Sequence, residues 1–178
     1  MSQILQRPLT GEPLSLDLVN TWWIDGGTPQ DLLAIVEGTR AWLVGVGLAD
    51  DTVPSEIMSQ HLRETRALLR TLLEEPQATS AREQLNVVLA KGTLTEQLAD
   101  AGPERRLEIV PEWRVPWLCA QNYLDLLRTT PDRIRQCDEG KCVLYFLDTT
   151  KNGIRRWCSS KTCGNRAKRR RYYRRTLK

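Results

Sequence analysis

Two close cysteine pairs dominate the end of this 178-residue chain: Cys137 and Cys142 flank DEGK, Cys158 and Cys163 flank SSKT, and fifteen residues separate the pairs. They lie in a 46-residue segment, 133–178, too short to bury a core that holds it without a staple. Zinc supplies one. Zn²⁺ takes four ligands tetrahedrally, and four thiolates close its shell. Each four-residue spacer lets the chain loop back so that both sulfurs of a pair reach one ion. The reading is one Zn²⁺ per chain, held by Cys137, Cys142, Cys158 and Cys163. The spacing excludes a redox C-x-x-C. Two disulfides would use the same sulfurs, but the start, MSQILQRPLTGEP, has no basic stretch followed by an apolar one, so a reducing cytoplasm is expected. An iron–sulfur cluster needs the same four thiolates, and the spacing leaves it open. The fifth cysteine, Cys119, stands in the apolar stretch WLCAQNYLDLL and reads as a core residue.

Charge divides the chain at the same place. Residues 1–132 carry 11 Lys or Arg against 19 Asp or Glu, a net of −8; residues 133–178 carry 15 against 3, a net of +12. A break this sharp predicts two parts with different work: a regulatory domain over 1–130 and a zinc module over 131–178. Losing the metal is expected to unfold the second part and leave the first folded. No apolar run is long enough to span a bilayer.

The acidic part reads as mainly helical with one small β-hairpin. Asp31 is placed to cap a helix running through GTRAWLVGV, which Gly38 and Gly45 weaken. Residues 54–75 give the clearest helix, with a stripe of Ile57, Met58, His61, Leu62, Thr65, Leu68, Leu69, Leu72 and Leu73. Ser80 opens another. TLTEQLA and RRLEIVPEW, split by AGPE, read as the hairpin. Pro116 is expected to open a last helix, Trp117 to Leu127. The basic part reads as a small α+β unit: VLYFLD, the turn TTKNG and then IRRWCS form a hairpin, followed by a basic helix beginning near Gly164.

That helix carries eight Arg or Lys in its last thirteen residues, RAKRRRYYRRTLK. Charge on every face prevents burial and repels itself without a polyanion. Either it is a solvated tail or it contacts nucleic acid, as zinc modules do when they present a helix to a groove. The candidate contacts are Arg155, Arg156, Arg166, Lys168, Arg169, Arg170, Arg171, Arg174 and Arg175. Trp157, Tyr172 and Tyr173 offer anchors or stacking faces. Duplex DNA is the expected partner. Single-stranded RNA, stacked on those aromatics, is the rival.

Cys163-Gly164-Asn165-Arg166, with Cys158 and the preceding LDTTKNGIRRWC, resembles the CGNR zinc finger family. LDLVNT (16–21), AWLVGVGL (41–48) and ERRLEIVPEW (104–113) are similar to the ABATE domain that accompanies that finger. Leu18 departs from the phenylalanine common there. The resemblance implies a DNA-binding finger in a bacterial, stress-induced transcription regulator.

No nucleophile elbow, phosphate-binding loop, dinucleotide motif or HExxH stands in the sequence, so an enzyme is not expected. His61, the single histidine, lies on an apolar helical stripe and reads as core or boundary, not ligand. Asp17, Asn20, Thr21 and Trp22 are the candidates for an effector pocket, though Asn20 and Thr21 equally suit turn or capping roles. The tryptophans gathered in residues 1–132 either fill a core or serve a small-molecule effector. Pairing into a homodimer would give a short zinc module two half-sites.

Overall fold

A computed structural model describes residues 6–50 and 52–176, without the side chains of Arg174 and Arg175. Helix α3 (Glu56–Glu74) is the beam of the structure. Ser55 starts it, its hydroxyl accepting from the Met58 N–H at 3.1 Å. Met58, Leu62, Thr65, Leu69 and Leu72 bury one face, as the three-and-four spacing requires, while Ile57 is exposed. Helices α1 (Leu14–Val19), α4 (Thr79–Leu89) and α5 (Pro111–Thr129) pack against that beam. Leu16, Leu18, Trp42, Leu43, Leu62, Leu69 and Val115 are wholly shielded from solvent in the shared core. Each such side chain contributes roughly 1.5–3 kcal/mol by leaving water. Cys119 is buried among them, and Trp23, Trp42 and Trp117 fill core space.

Among the described residues, three two-stranded antiparallel sheets decorate the helices. Strands β1 (Trp22–Asp25) and β2 (Thr28–Asp31) turn at Gly26 and Gly27. The expected small hairpin is present as β3 (Gly92–Ala99) and β4 (Gly102–Ile109), longer than the two short runs imply and exposed along most of its length. Strands β5 (Ile134–Gln136) and β6 (Tyr145–Leu147) belong to the basic part.

Some local expectations change. Asp31 does not cap the helix through GTRAWLVGV. It accepts from the Leu33 N–H at 2.9 Å and caps a single 3₁₀ turn, Leu32–Ala34. Helix α2 (Val36–Gly45) follows and contains both suspect glycines. Gly38 is there because a Cβ would sit 1.8 Å from the Leu32 carbonyl oxygen, so any side chain would push the turn off the helix. Pro116 does not open α5 but lies inside it, and Pro111 takes the first turn. A proline one turn into a helix deprives a single carbonyl of its donor, and burial of Val115, Pro116 and Trp117 offsets that loss. In the basic part, β6 pairs with the segment before the first cysteine pair, not with IRRWCS. The order of hairpin, cysteine cluster and basic helix holds all the same.

The two halves are not separate bodies. Leu144, Tyr145 and Phe146 are buried in the same core as the helices. Glu12 accepts from the Leu147 N–H at 2.9 Å and pairs with Arg155 at 3.2 Å. Arg70 reaches from α3 to the Val143 carbonyl at 3.4 Å and lies 4.9 Å over the Trp22 ring. Burial lowers the pKa of that guanidinium, and the neighbouring Tyr145 and Glu74 oppose the shift. No helix among the described residues is long and apolar enough to cross a membrane.

Candidate metal centre and basic helix

The centre is built on two loops. Between β5 and β6 the chain makes a tight knuckle: the Cys137 N–H donates to the Leu144 carbonyl at 2.9 Å, and the Cys142 N–H to the Glu139 carbonyl at 2.6 Å. The second loop brings Cys158 alongside. Its N–H points at the Cys137 sulfur at 3.4 Å, and the Asp138 N–H donates to the Arg156 carbonyl at 2.8 Å. A wide π turn, Ser160–Gly164, carries Cys163 and runs into α6 (Asn165–Thr176). The Ser159 hydroxyl accepts from the Thr162 N–H at 3.3 Å, and the Asn165 side chain donates to the Lys161 carbonyl at 2.8 Å. A Cβ on Gly164 would lie 3.4 Å from the Trp157 ring, so the turn packs in contact with the indole.

All four sulfurs fall within 4.8 Å of one another. Cys142 and Cys158 are 3.8 Å apart, and Cys158 and Cys163 are 3.5 Å apart. Sulfurs arranged tetrahedrally about 2.3 Å from a central ion stand about 3.8 Å from each other. The residues therefore fit one Zn²⁺ per chain. Electrostatics agree: bonds from Cys142 and Cys158 pull the Cys137 thiol down to about 2, and the bond to Cys137 pushes Cys142 up to about 12. Cys158 is pushed up too, again by its bond to Cys137 first. A divalent ion is what lets four thiolates share the space.

Arginines neutralise the centre. Arg166 donates to the Cys163 sulfur at 3.0 Å, and that bond raises its own pKa. Buried Glu139 takes Arg170 at 2.8 Å and Arg166 at 3.8 Å. Asp148, buried in the loop after β6, accepts from the Thr150 N–H, the Thr150 hydroxyl and the Arg155 N–H. Burial alone would raise its carboxyl, but those bonds outweigh it and its pKa is lowered. A cleft of about 470 Å³ opens between the β1–β2 turn and the centre. Trp23, Ile24, Gly26, Gly27, Lys141 and Arg166 are among its walls, and three of the cysteines face it.

Two family models cover nearly the whole chain. The ABATE model, described as a putative stress-induced transcription regulator, matches residues 12–130, and the CGNR zinc finger model matches residues 133–176. The chain belongs to the ABATE family. A comparison with curated proteins finds no match.

Within the ABATE region the four residues expected to face an effector are engaged internally. Asp17 is buried and receives Arg7 at 2.5 Å, the Gly11 N–H at 3.0 Å and the Trp42 indole N–H at 2.9 Å. Asn20 bonds the main chain of Tyr145. The Thr21 hydroxyl donates to the Leu18 carbonyl at 2.6 Å and accepts from Arg66 at 2.9 Å, which also grips Asp31 by two bonds of 2.6 Å. Trp22, half-buried, lies under Arg70. Of LDLVNT, Asn20 is the residue that bonds the CGNR finger. His61 is stacked on Trp113 at 3.8 Å, at the boundary of the core.

The CGNR finger sorts its own cations into two sets. Arg155 donates to the carbonyls of Leu147 and Cys158 as well as pairing with Glu12, and it lies 4.2 Å over the Phe146 ring. Arg156 is paired with Asp138, and Arg166 and Arg170 with Glu139. Lys168, Arg169 and Arg171 project from α6 into solvent and have no partner among the described residues. The side chains of Arg174 and Arg175 lie outside the described residues. Tyr172 and Tyr173 are exposed, whereas Trp157 is half-buried against Gly164. Sequence reasoning missed Glu12, Glu139 and Asp148. A signal was there for two of them: a +12 segment retains only three acids, and in the structure each of the three meets an arginine.

Proposed function

We propose that this protein binds duplex DNA through α6 and regulates transcription, with the helical domain setting the finger's posture. The carrying observation is the division of cations on the finger. Arg155, Arg156, Arg166 and Arg170 are spent on holding the metal centre together, and Lys168, Arg169 and Arg171 face outward on a helix anchored at the zinc turn. An anchored basic helix is suited to a major groove, with phosphates supplying most of the affinity. The helical domain acts through the shared core. Leu144, Tyr145 and Phe146 are embedded in it, so an effector or a second chain that shifts α1 or α3 also shifts the cysteine knuckle.

The test is a titration of the zinc-loaded full chain with random duplex DNA and with single-stranded RNA, over a range of salt. About six neutralised phosphates give a slope of log K against log salt near −5. Stronger binding of RNA at every salt concentration would replace duplex DNA as the target.

A further inference from the structure

We infer that the zinc centre is a peroxide-sensitive site in which Cys142 is the sulfur attacked first and Cys158 the sulfur that resolves it. The inference stands on the metal centre and holds whatever nucleic acid the finger binds.

Three observations carry it. Access comes first. Cys137, Cys158 and Cys163 are buried, but Cys142 is half-exposed and stands on the wall of the 470 Å³ cleft, wide enough for a small hydroperoxide. Charge comes second. Lys141, next in sequence to Cys142, is exposed on the same cleft, and Arg166 lines it too. Thiolates that react are those partly exposed in electropositive surroundings. Proximity comes third. The Cys158 sulfur is 3.8 Å from that of Cys142 and faces the same cleft, which Cys137 does not line.

The chemistry balances with a hydroperoxide as the oxidant. The Cys142 thiolate attacks one peroxide oxygen, the O–O bond breaks, and hydroxide leaves and takes a proton to become water. Cys142 is then a sulfenic acid. The Cys158 thiolate attacks its sulfur, an S–S bond forms as the S–O bond breaks, and a second hydroxide takes a proton. Two thiolates have given two electrons, and hydrogen peroxide with two protons has become two waters. Cys137 and Cys163 alone are too few ligands to retain zinc. The Cys142–Cys158 bond still joins the knuckle to the second loop, but Cys137 and Cys163 no longer share an ion, and the turn that starts α6 loses its metal anchor.

The experiment adds hydrogen peroxide to the zinc-loaded full chain, follows zinc with a chromogenic chelator and maps disulfides by peptide mass. One zinc per chain should be released, with a Cys142–Cys158 disulfide, at a rate at least about tenfold that of glutathione oxidation under the same conditions. Reductant plus zinc should restore the starting state. Lys141→Glu, a change at an exposed side chain, should retain full zinc content but slow release about threefold or more. Cys119→Ser should release zinc at the wild-type rate. Zinc retention at those peroxide levels, a map in which Cys142 enters no disulfide, or Lys141→Glu releasing as fast as wild type would each overturn the inference.

Discussion

Asn20 closes a ring with the main chain of Tyr145, 125 positions away: its amide nitrogen donates to the Tyr145 carbonyl at 2.8 Å, and its amide oxygen accepts from the Tyr145 N–H at 2.9 Å. Both residues are buried, so water cannot replace either bond. One side chain thus mimics a strand partner for β6. Asn20→Ala strands a buried donor and a buried acceptor, each costing about 1–3 kcal/mol. The expected result is a loss of about 2–6 kcal/mol in urea unfolding, with zinc bound more weakly, because the clasp holds the strand that leads out of the knuckle. Asn20→Asp, which retains one acceptor and loses the donor, should be no better. Unchanged stability in Asn20→Ala would mean that β6 is held by packing alone.

Zinc removal should be felt across the chain. The charge break suggests that the helices stay folded when the metal leaves, but Phe146 is fully buried in the core they share. Chelation should therefore lower the melting temperature seen by far-ultraviolet dichroism, which is dominated by helices, as well as altering tryptophan fluorescence. In a chain of this size each kcal/mol lost shifts the midpoint by about 2–4 °C. Cys158→Ser should reproduce the chelated protein. A helical transition that is unmoved by chelation would restore the picture of two independent parts.

Local pattern was legible where one physical force decided the outcome. The α3 stripe, the β3–β4 hairpin and the four-sulfur cluster follow from burial periodicity, turn residues and ligand spacing. What local pattern leaves unread depends on distant partners. Asp17, Asn20 and Thr21 look like polar intrusions in an apolar run, and only the return of β6 and of Arg7 and Arg66 shows what they bond. Pro116 looks like a helix start because the packing that tolerates it inside α5 is tertiary. The pairing of β6 with β5 instead of IRRWCS follows from Asp148, whose carboxylate wraps the 149–155 loop onto itself. Arg155 looked like any other cation in a basic run until Glu12, at the far end of the chain, met it.

Cys119 should be inert in the native protein. Burial raises its thiol pKa well above the ordinary 9.0, and nearby Asp17 adds to the shift. An acid whose folded pKa is raised stays neutral in the fold while the unfolded chain ionises. Its contribution to stability is therefore full below pH 9.0 and is lost as pH rises beyond it. Iodoacetamide at pH 8 should leave Cys119 unlabelled in native protein and label it fully in denaturant, as read by peptide mass. Rapid native labelling would show that the core around α5 opens far more often than its packing implies.

The cations of the finger should separate into two phenotypes. Lys168→Ala, Arg169→Ala and Arg171→Ala remove exposed charges with no partner among the described residues, so melting temperature and zinc content should hold. Each that touches a phosphate should weaken DNA binding for all sequences and make the salt slope shallower by about 1. One that reads a base edge should instead lose about 1–3 kcal/mol on the preferred sequence alone. Arg155→Ala should do the opposite. It takes from Glu12 its arginine partner, removes the donor to the carbonyls of Leu147 and Cys158, and uncovers the Phe146 ring. Stability and zinc retention should fall, and whatever protein stays folded should bind DNA with the wild-type salt slope. Arg155→Lys should restore little, since an ammonium cannot span several acceptors set around a planar fork. Calorimetry, zinc analysis and salt-dependent DNA titration on the five variants check the division. If Arg155→Ala melts like wild type and loses one unit of salt slope, Arg155 belongs with the DNA contacts and the division drawn from its internal bonds is overturned.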